Sequence, residues 1–162
     1  MIYTSSIGLF HLIVSILALI FGTWVIATEK GTAIHKKIGY LYAACMTAVI
    51  VTSFMMYRLF GGFGIFHVAA VISAISLLGG MVPVILRKPK KSWLSLHFSF
   101  MFWSVMGLYA AFAAEIFTRI PRMRFFWMVG VATLLVMVAA NIAFVVYKKR
   151  WEKLESVYIE GK

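Results

Sequence analysis

Five apolar stretches, each about 20 residues long, occupy most of the chain and leave only short connections between them. A helix of about 20 apolar residues spans the hydrocarbon core of a bilayer, because each residue adds about 1.5 Å. The stretches do not alternate polar and apolar residues, as the strands of a membrane barrel do. We therefore predict an all-α, polytopic membrane helix bundle whose five transmembrane helices lie near residues 5–27, 38–58, 63–86, 94–117 and 125–147.

Composition agrees with a lipid environment, since 63% of the 162 residues are hydrophobic and 13% are charged. A soluble domain of this size cannot bury so large an apolar fraction. The first stretch has no basic region before it and is too long for the apolar region of a cleavable signal peptide. We expect residues 1–150 to form a single transmembrane domain, and residues 151–162 to form a short cytoplasmic tail that is either an interfacial helix or disordered.

The 16 Lys and Arg residues, which dominate a net charge of +11, cluster between the apolar stretches. They form no single face or stripe, so we do not expect nucleic acid as a partner. With the N-terminus outside, the inner segments hold Lys30, Lys36, Lys37, Arg87, Lys88, Lys90, Lys91, Lys148, Lys149, Arg150, Lys153 and Lys162, and the outer segments hold Arg58, Arg119, Arg122 and Arg124. This excess on one side predicts a multi-pass cell-membrane protein with the N-terminus out and the C-terminus in.

The absence of Asp and the presence of a single Cys restrict the reactions that this chain can catalyse. All 5 acidic residues are Glu, which excludes a hydrolase whose mechanism requires Asp. The single Cys45 can form no disulfide within the chain.

Four histidines fall in four different predicted spans, and the topology assigns each one a depth. His11 and His67 lie near the outer starts of the first and third spans. His35 and His97 lie near the inner starts of the second and fourth. Each leaflet therefore contains two histidines from alternate helices, which can face each other across a bundle.

Imidazoles that converge from facing helices are suited to bind a cofactor or a metal, because ionisable groups inside a membrane are costly unless they serve a function. A haem held by one nitrogen above and one below needs this geometry. We predict haem b at His11 with His67, and at His35 with His97. The ordinary alternative is that these side chains only form hydrogen bonds between helices.

Glu115 is the one carboxylate well inside a predicted span, and it lies at the depth of His11 and His67. Two histidines and a carboxylate are a common ligand set for a transition metal, so a second hypothesis is a zinc, copper or iron site at these three residues. Proton transfer by Glu115 is another. The ordinary alternative is an ion pair with Arg119, which follows four residues later.

Three short segments, each with a histidine, carry a likeness to a known family. Residues 34–42 read Ile-His-Lys-Lys-Ile-Gly-Tyr-Leu-Tyr, residues 63–67 read Phe-Gly-Ile-Phe-His, and His97 is followed by Tyr-Ala-Ala-Phe-Ala-Ala at 109–114 and by Arg119. Together these segments resemble the uncharacterised prokaryotic membrane family called domain of unknown function 2306. The family usually has a basic residue soon after the histidine of the fourth span, where this chain has Phe-Ser-Phe. The family has no settled activity, so the resemblance implies no reaction.

The alternation of histidine-bearing helices also resembles the architecture of two-haem transmembrane cytochrome b proteins, by topology and not by motif. That resemblance implies a small b-type cytochrome that carries electrons between the leaflets, with a quinol or another redox partner as donor. The rival hypotheses are the membrane metalloprotein described above and a non-enzymatic membrane scaffold. The sequence does not decide the substrate, the oligomeric state or whether the protein is an enzyme.

Overall fold

The computed structural model describes residues 5–57, 61–119 and 124–160. This part of the chain contains no strand. Its helices are α1 (Ser6–Ala27), α2 (Ala33–Ser53), α3 (Ile65–Leu86), α4 (Trp93–Phe117) and α5 (Phe125–Glu160). The prediction of an all-α fold is confirmed.

Four helices are long and apolar enough to cross a membrane, namely α1, α3, α4 and the segment Phe125–Val157 of α5. Large apolar side chains on these helices point away from the protein; Leu78 is 60% exposed and Ile142 is 66% exposed. Such side chains are stable in lipid and costly in water. The membrane class is therefore supported by four helices, whereas the crossing by α2 stays a prediction.

Helices α1 and α2 begin where a hydroxyl side chain caps them. The Ser5 hydroxyl accepts a hydrogen bond from the Gly8 N–H, and the Thr32 hydroxyl accepts one from the His35 N–H, both at 3.1 Å. Such caps satisfy backbone N–H groups that have no partner within the helix. The Thr32 cap lets α2 begin at Ala33 instead of residue 38, so that His35 lies in its first turn.

The C-terminal end of α1 is capped by Lys30, whose ammonium donates to the carbonyl oxygens of Val25, Ile26 and Thr28 at 2.8, 2.6 and 3.1 Å. A cation at this position also interacts favourably with the helix dipole. Burial nevertheless lowers the pKa of Lys30 from 10.5 to about 8, because desolvation penalises the charged form.

The lowered pKa of Lys30 predicts a dependence of stability on pH. Below pH 8 the folded and unfolded chains are both protonated at Lys30, and the desolvation cost is fully present. Between pH 8 and 10.5 the folded chain releases the proton first, so the free energy of unfolding rises with pH. We expect unfolding in detergent to show this rise in the wild type. The rise should be smaller in Lys30→Met, and an identical pH profile in the two proteins would contradict it.

Helix α5 is longer than predicted, because it continues as one helix through residues 148–160. Trp151 is 7% exposed and packs against Phe98, Phe102, Phe144 and Tyr147, with ring centroids 5.5 to 5.8 Å apart. This aromatic cluster holds the extension against α4. Residues 151–160 are thus part of α5, and their place as a cytoplasmic tail stays a prediction.

The chain forms two compact units, residues 1–75 and 76–162. In the first unit, α1 packs on α2 through a buried face that contains Ala18 and Gly22. In the second unit, α4 packs on α5, and the C-terminal half of α3 contacts α4. The first unit contains His11, His35 and His67, whereas the second contains His97 and Glu115.

Candidate functional site

His97 is held by a contact between α3 and α4 in the second unit. Its Nδ1 lies 2.9 Å from the carbonyl oxygen of Gly80. A carbonyl oxygen only accepts hydrogen bonds, so Nδ1 carries the proton and donates it. The basic lone pair of the imidazole is therefore on Nε2.

Two glycines allow α4 to come this close to α3. A Cβ atom at Gly79 would lie 2.7 Å from the Phe100 ring, and one at Gly80 would lie 2.6 Å from the Met101 sulfur and 3.2 Å from its backbone nitrogen. Side chains at these positions would force the helices apart. His97 precedes Met101 by one turn, so the same close approach brings its ring to the Gly80 carbonyl.

Pro83 lies in the same turn of α3. Proline has no N–H, so the carbonyl of Gly79 loses its usual helical donor. The carbonyl that loses its donor is thus next to the Gly80 carbonyl, which accepts the hydrogen bond from His97.

His11 is held in a similar way within the first unit. Its Nδ1 lies 2.7 Å from the hydroxyl oxygen of Thr52 on α2. That oxygen also lies 2.7 Å from the Ala48 carbonyl oxygen and 3.1 Å from that of Val49. The hydroxyl has one proton, which it can donate to one of these carbonyls or to His11, so the direction of its hydrogen bond with His11 depends on the tautomer of the ring.

The Nδ1–H of His97 is the arrangement that a metal ligand needs. Histidines that bind a metal or haem iron through Nε2 usually donate the Nδ1 proton to an oxygen atom, which fixes the ring and raises its basicity. His97 meets this condition through the Gly80 carbonyl, and His11 has the Thr52 hydroxyl oxygen within hydrogen-bond distance of its Nδ1.

His67 has a different environment. It is 3% exposed and stacks on Tyr57 at 4.7 Å and on Phe63 at 5.0 Å, with Phe54 tilted at 6.1 Å. The aromatic rings keep the imidazole out of contact with solvent and lipid. They also favour one orientation of the ring.

His67 also differs from His97 in its hydrogen bonding, because its Nδ1 accepts a hydrogen bond instead of donating one. Its Nδ1 accepts from the Gly64 N–H at 3.1 Å, so the proton is on Nε2. Gly64 precedes α3 and His67 is the third residue of that helix, which is half of a capping box. The Nε2 atom is buried and has no hydrogen-bond partner. His67 therefore caps α3 in this structure, and ligation of a metal through Nε2 would require this bond to break.

Glu115 forms the ion pair that was the ordinary alternative. Its carboxylate accepts a hydrogen bond from the Arg119 guanidinium, and both side chains are about half exposed, at 50% and 49%. Among the described residues, no three His, Cys, Asp or Glu side chains come together as metal ligands would. The metal site at His11, His67 and Glu115 stays a prediction.

Sequence reasoning missed two partners, the Thr52 hydroxyl and the Gly80 carbonyl. A hydroxyl in an apolar span signals a possible hydrogen bond between helices. However, Thr52 is 41 residues from His11 in sequence, and only the packing of α1 on α2 identifies the pair. The Gly80 carbonyl cannot be recognised from the sequence as a hydrogen-bond acceptor, apart from the Gly79 and Gly80 pair that exposes it.

Comparison with models of protein families, with curated proteins and with solved structures finds no match to this chain.

Proposed function

We propose that this chain is a multi-pass cell-membrane protein of the b-type cytochrome class that carries electrons across the bilayer. Five helices cross the membrane in this proposal, with the N-terminus outside and the C-terminus in the cytoplasm. The observation that supports it is that an oxygen atom on a neighbouring helix is hydrogen-bonded to Nδ1 of His11 and to Nδ1 of His97. Each of these histidines belongs to a different pair in the predicted arrangement, so one proposed ligand of each haem site is held by a hydrogen bond between helices.

The fit to haem differs among the four histidines. Thr52 is hydrogen-bonded to Nδ1 of His11 and the Gly80 carbonyl to Nδ1 of His97, so Nε2 is the nitrogen proposed to bind iron in each ring. His35 lies in the first turn of α2, and its pairing with His97 stays a prediction from the sequence. His67 is the second ligand proposed for the site of His11, and it would bind only after it releases the Gly64 N–H.

A haem held by two histidines supplies a one-electron carrier whose potential depends on its ligands and its burial. The protein contributes the orientation of the ligands and an apolar surround that excludes water. A lipid-soluble quinol, or another redox partner, is the proposed electron donor.

The test is an absorption spectrum of detergent-purified protein from haem-replete cells, first oxidised and then reduced with dithionite. We expect a Soret band that shifts on reduction. Substitution of either oriented ligand, His11→Ala or His97→Ala, should remove about half of the haem, because each serves one site. His67→Ala should retain haem but change its spin state, since His11 remains anchored by Thr52.

A measurement of helix content separates the loss of a haem ligand from the loss of the fold. Helix content by circular dichroism should be the same in all three variants and the wild type. Colourless wild-type protein would refute the cytochrome proposal. Metal analysis of the same sample would then decide between the zinc, copper or iron site at His11, His67 and Glu115 and a scaffold that binds no metal.

A further inference from the structure

The second unit has a strongly basic end, which we define as Arg87, Lys88, Lys90, Lys91, Lys148, Lys149, Arg150 and Lys153. All of these residues are exposed. Four of them lie in the connection between α3 and α4, and four lie on the extension of α5. The described acidic residues near them are Glu152 and Glu155, and Glu152 pairs with Lys148 at 3.6 Å. Most of the positive charge at this end is therefore not neutralised by the protein.

The aromatic cluster around Trp151 places the α5 extension beside the N-terminal part of α4, which follows the α3–α4 connection in the chain. Trp151 contacts Phe98 and Phe102, and Phe144 contacts Phe102 and Trp103. Residue numbers on α5 fall as those on α4 rise, so the two helices are antiparallel. From Trp151 onward α5 consequently runs toward the start of α4 and the α3–α4 connection, whereas Lys148, Lys149 and Arg150 lie beside the first three turns of α4.

The cations of the α5 extension lie on a helix held in place and not on a free tail. Tyr147 and Trp151 both belong to the aromatic cluster, and three cations lie between them on α5, namely Lys148, Lys149 and Arg150. The side chains of all three cations are exposed. Their spacing is therefore set by the helix. An ordered set of cations next to apolar, membrane-spanning helices is suited to phosphate groups at a lipid surface.

We propose that this basic end binds the headgroups of anionic phospholipids, such as phosphatidylglycerol. The proposal is independent of the haem proposal, because no histidine takes part. A bias of basic residues toward one side can arise from topology alone. Such a bias requires neither an ordered helix nor a preference for anionic over zwitterionic lipid, whereas a binding site requires both.

The test measures phosphatidylglycerol and phosphatidylcholine bound to the full-length protein in neutral detergent, by native mass spectrometry across a lipid titration. We expect the wild type to retain phosphatidylglycerol preferentially. Lys149→Gln with Arg150→Gln should weaken that binding by about tenfold, since each cation near a lipid surface contributes severalfold. The matched control is Arg119→Gln with Arg124→Gln, which removes two exposed cations from the opposite ends of α4 and α5 and should leave binding unchanged.

A third variant tests whether the helix must be held in place. Trp151→Ala keeps every cation and should weaken phosphatidylglycerol binding severalfold, because the extension loses its contact with α4. Equal retention of the two lipids by the wild type would overturn the proposal. Equal weakening by the two pairs of substitutions would also overturn it, because charge alone would then explain binding.

Discussion

Replacement of both Gly79 and Gly80 by Ala is expected to lower the free energy of unfolding by about 1–3 kcal/mol, as overpacking of a close contact does. The new Cβ atoms would meet the Phe100 ring at 2.7 Å and the Met101 side chain at 2.6 Å. Relief of these contacts separates α3 from α4. That separation also removes the Gly80 carbonyl from His97.

The control is the double substitution Gly107→Ala and Gly130→Ala on α4 and α5, where an added Cβ has no atom within 4 Å. Alanine favours a helix over glycine by up to about 1 kcal/mol per residue, so the control should be neutral or stabilised. Unfolding in detergent, followed by circular dichroism against denaturant, measures both proteins. Equal stability of the two double variants would show that the glycines are not needed for the helix contact.

Trp151→Ala is expected to destabilise the second unit by about 3–5 kcal/mol, the usual cost of removing a buried aromatic side chain. The indole is 7% exposed and has ring contacts with Phe98, Phe102, Phe144 and Tyr147. Aromatic pairs add to the cost beyond the area that they bury. The α5 extension should then separate from α4 before the rest of the unit unfolds.

Trp127→Ala is the matched control, because that indole is 62% exposed on the same helix. It should change the free energy of unfolding much less. Limited proteolysis with trypsin reports on the extension directly, since Lys149, Arg150 and Lys153 lie within it. We expect faster cleavage there in Trp151→Ala than in Trp127→Ala, and equal rates would contradict the anchoring role of Trp151.

Several features of the site were predictable from the sequence because they depend on local pattern. The histidines were identified as unusual polar groups in apolar spans, and the ion pair of Glu115 with Arg119 follows from a spacing of one helical turn. The hydrogen-bond partners of His11 and His97 were not predictable, because they belong to other helices. His11 and Thr52 are 41 residues apart, and His97 and Gly80 are 17 apart.

The sequence by itself determined the helical class and the positions of four apolar helices, because lipid forces each spanning segment to satisfy its own backbone hydrogen bonds. Only the tertiary structure decided the length of α5. Residues 148–153 are mostly charged, so hydropathy predicts an end to the helix near 147, but the burial of Trp151 against α4 continues it to Glu160. The tertiary structure likewise decided which histidines are oriented by an oxygen atom and which one caps a helix.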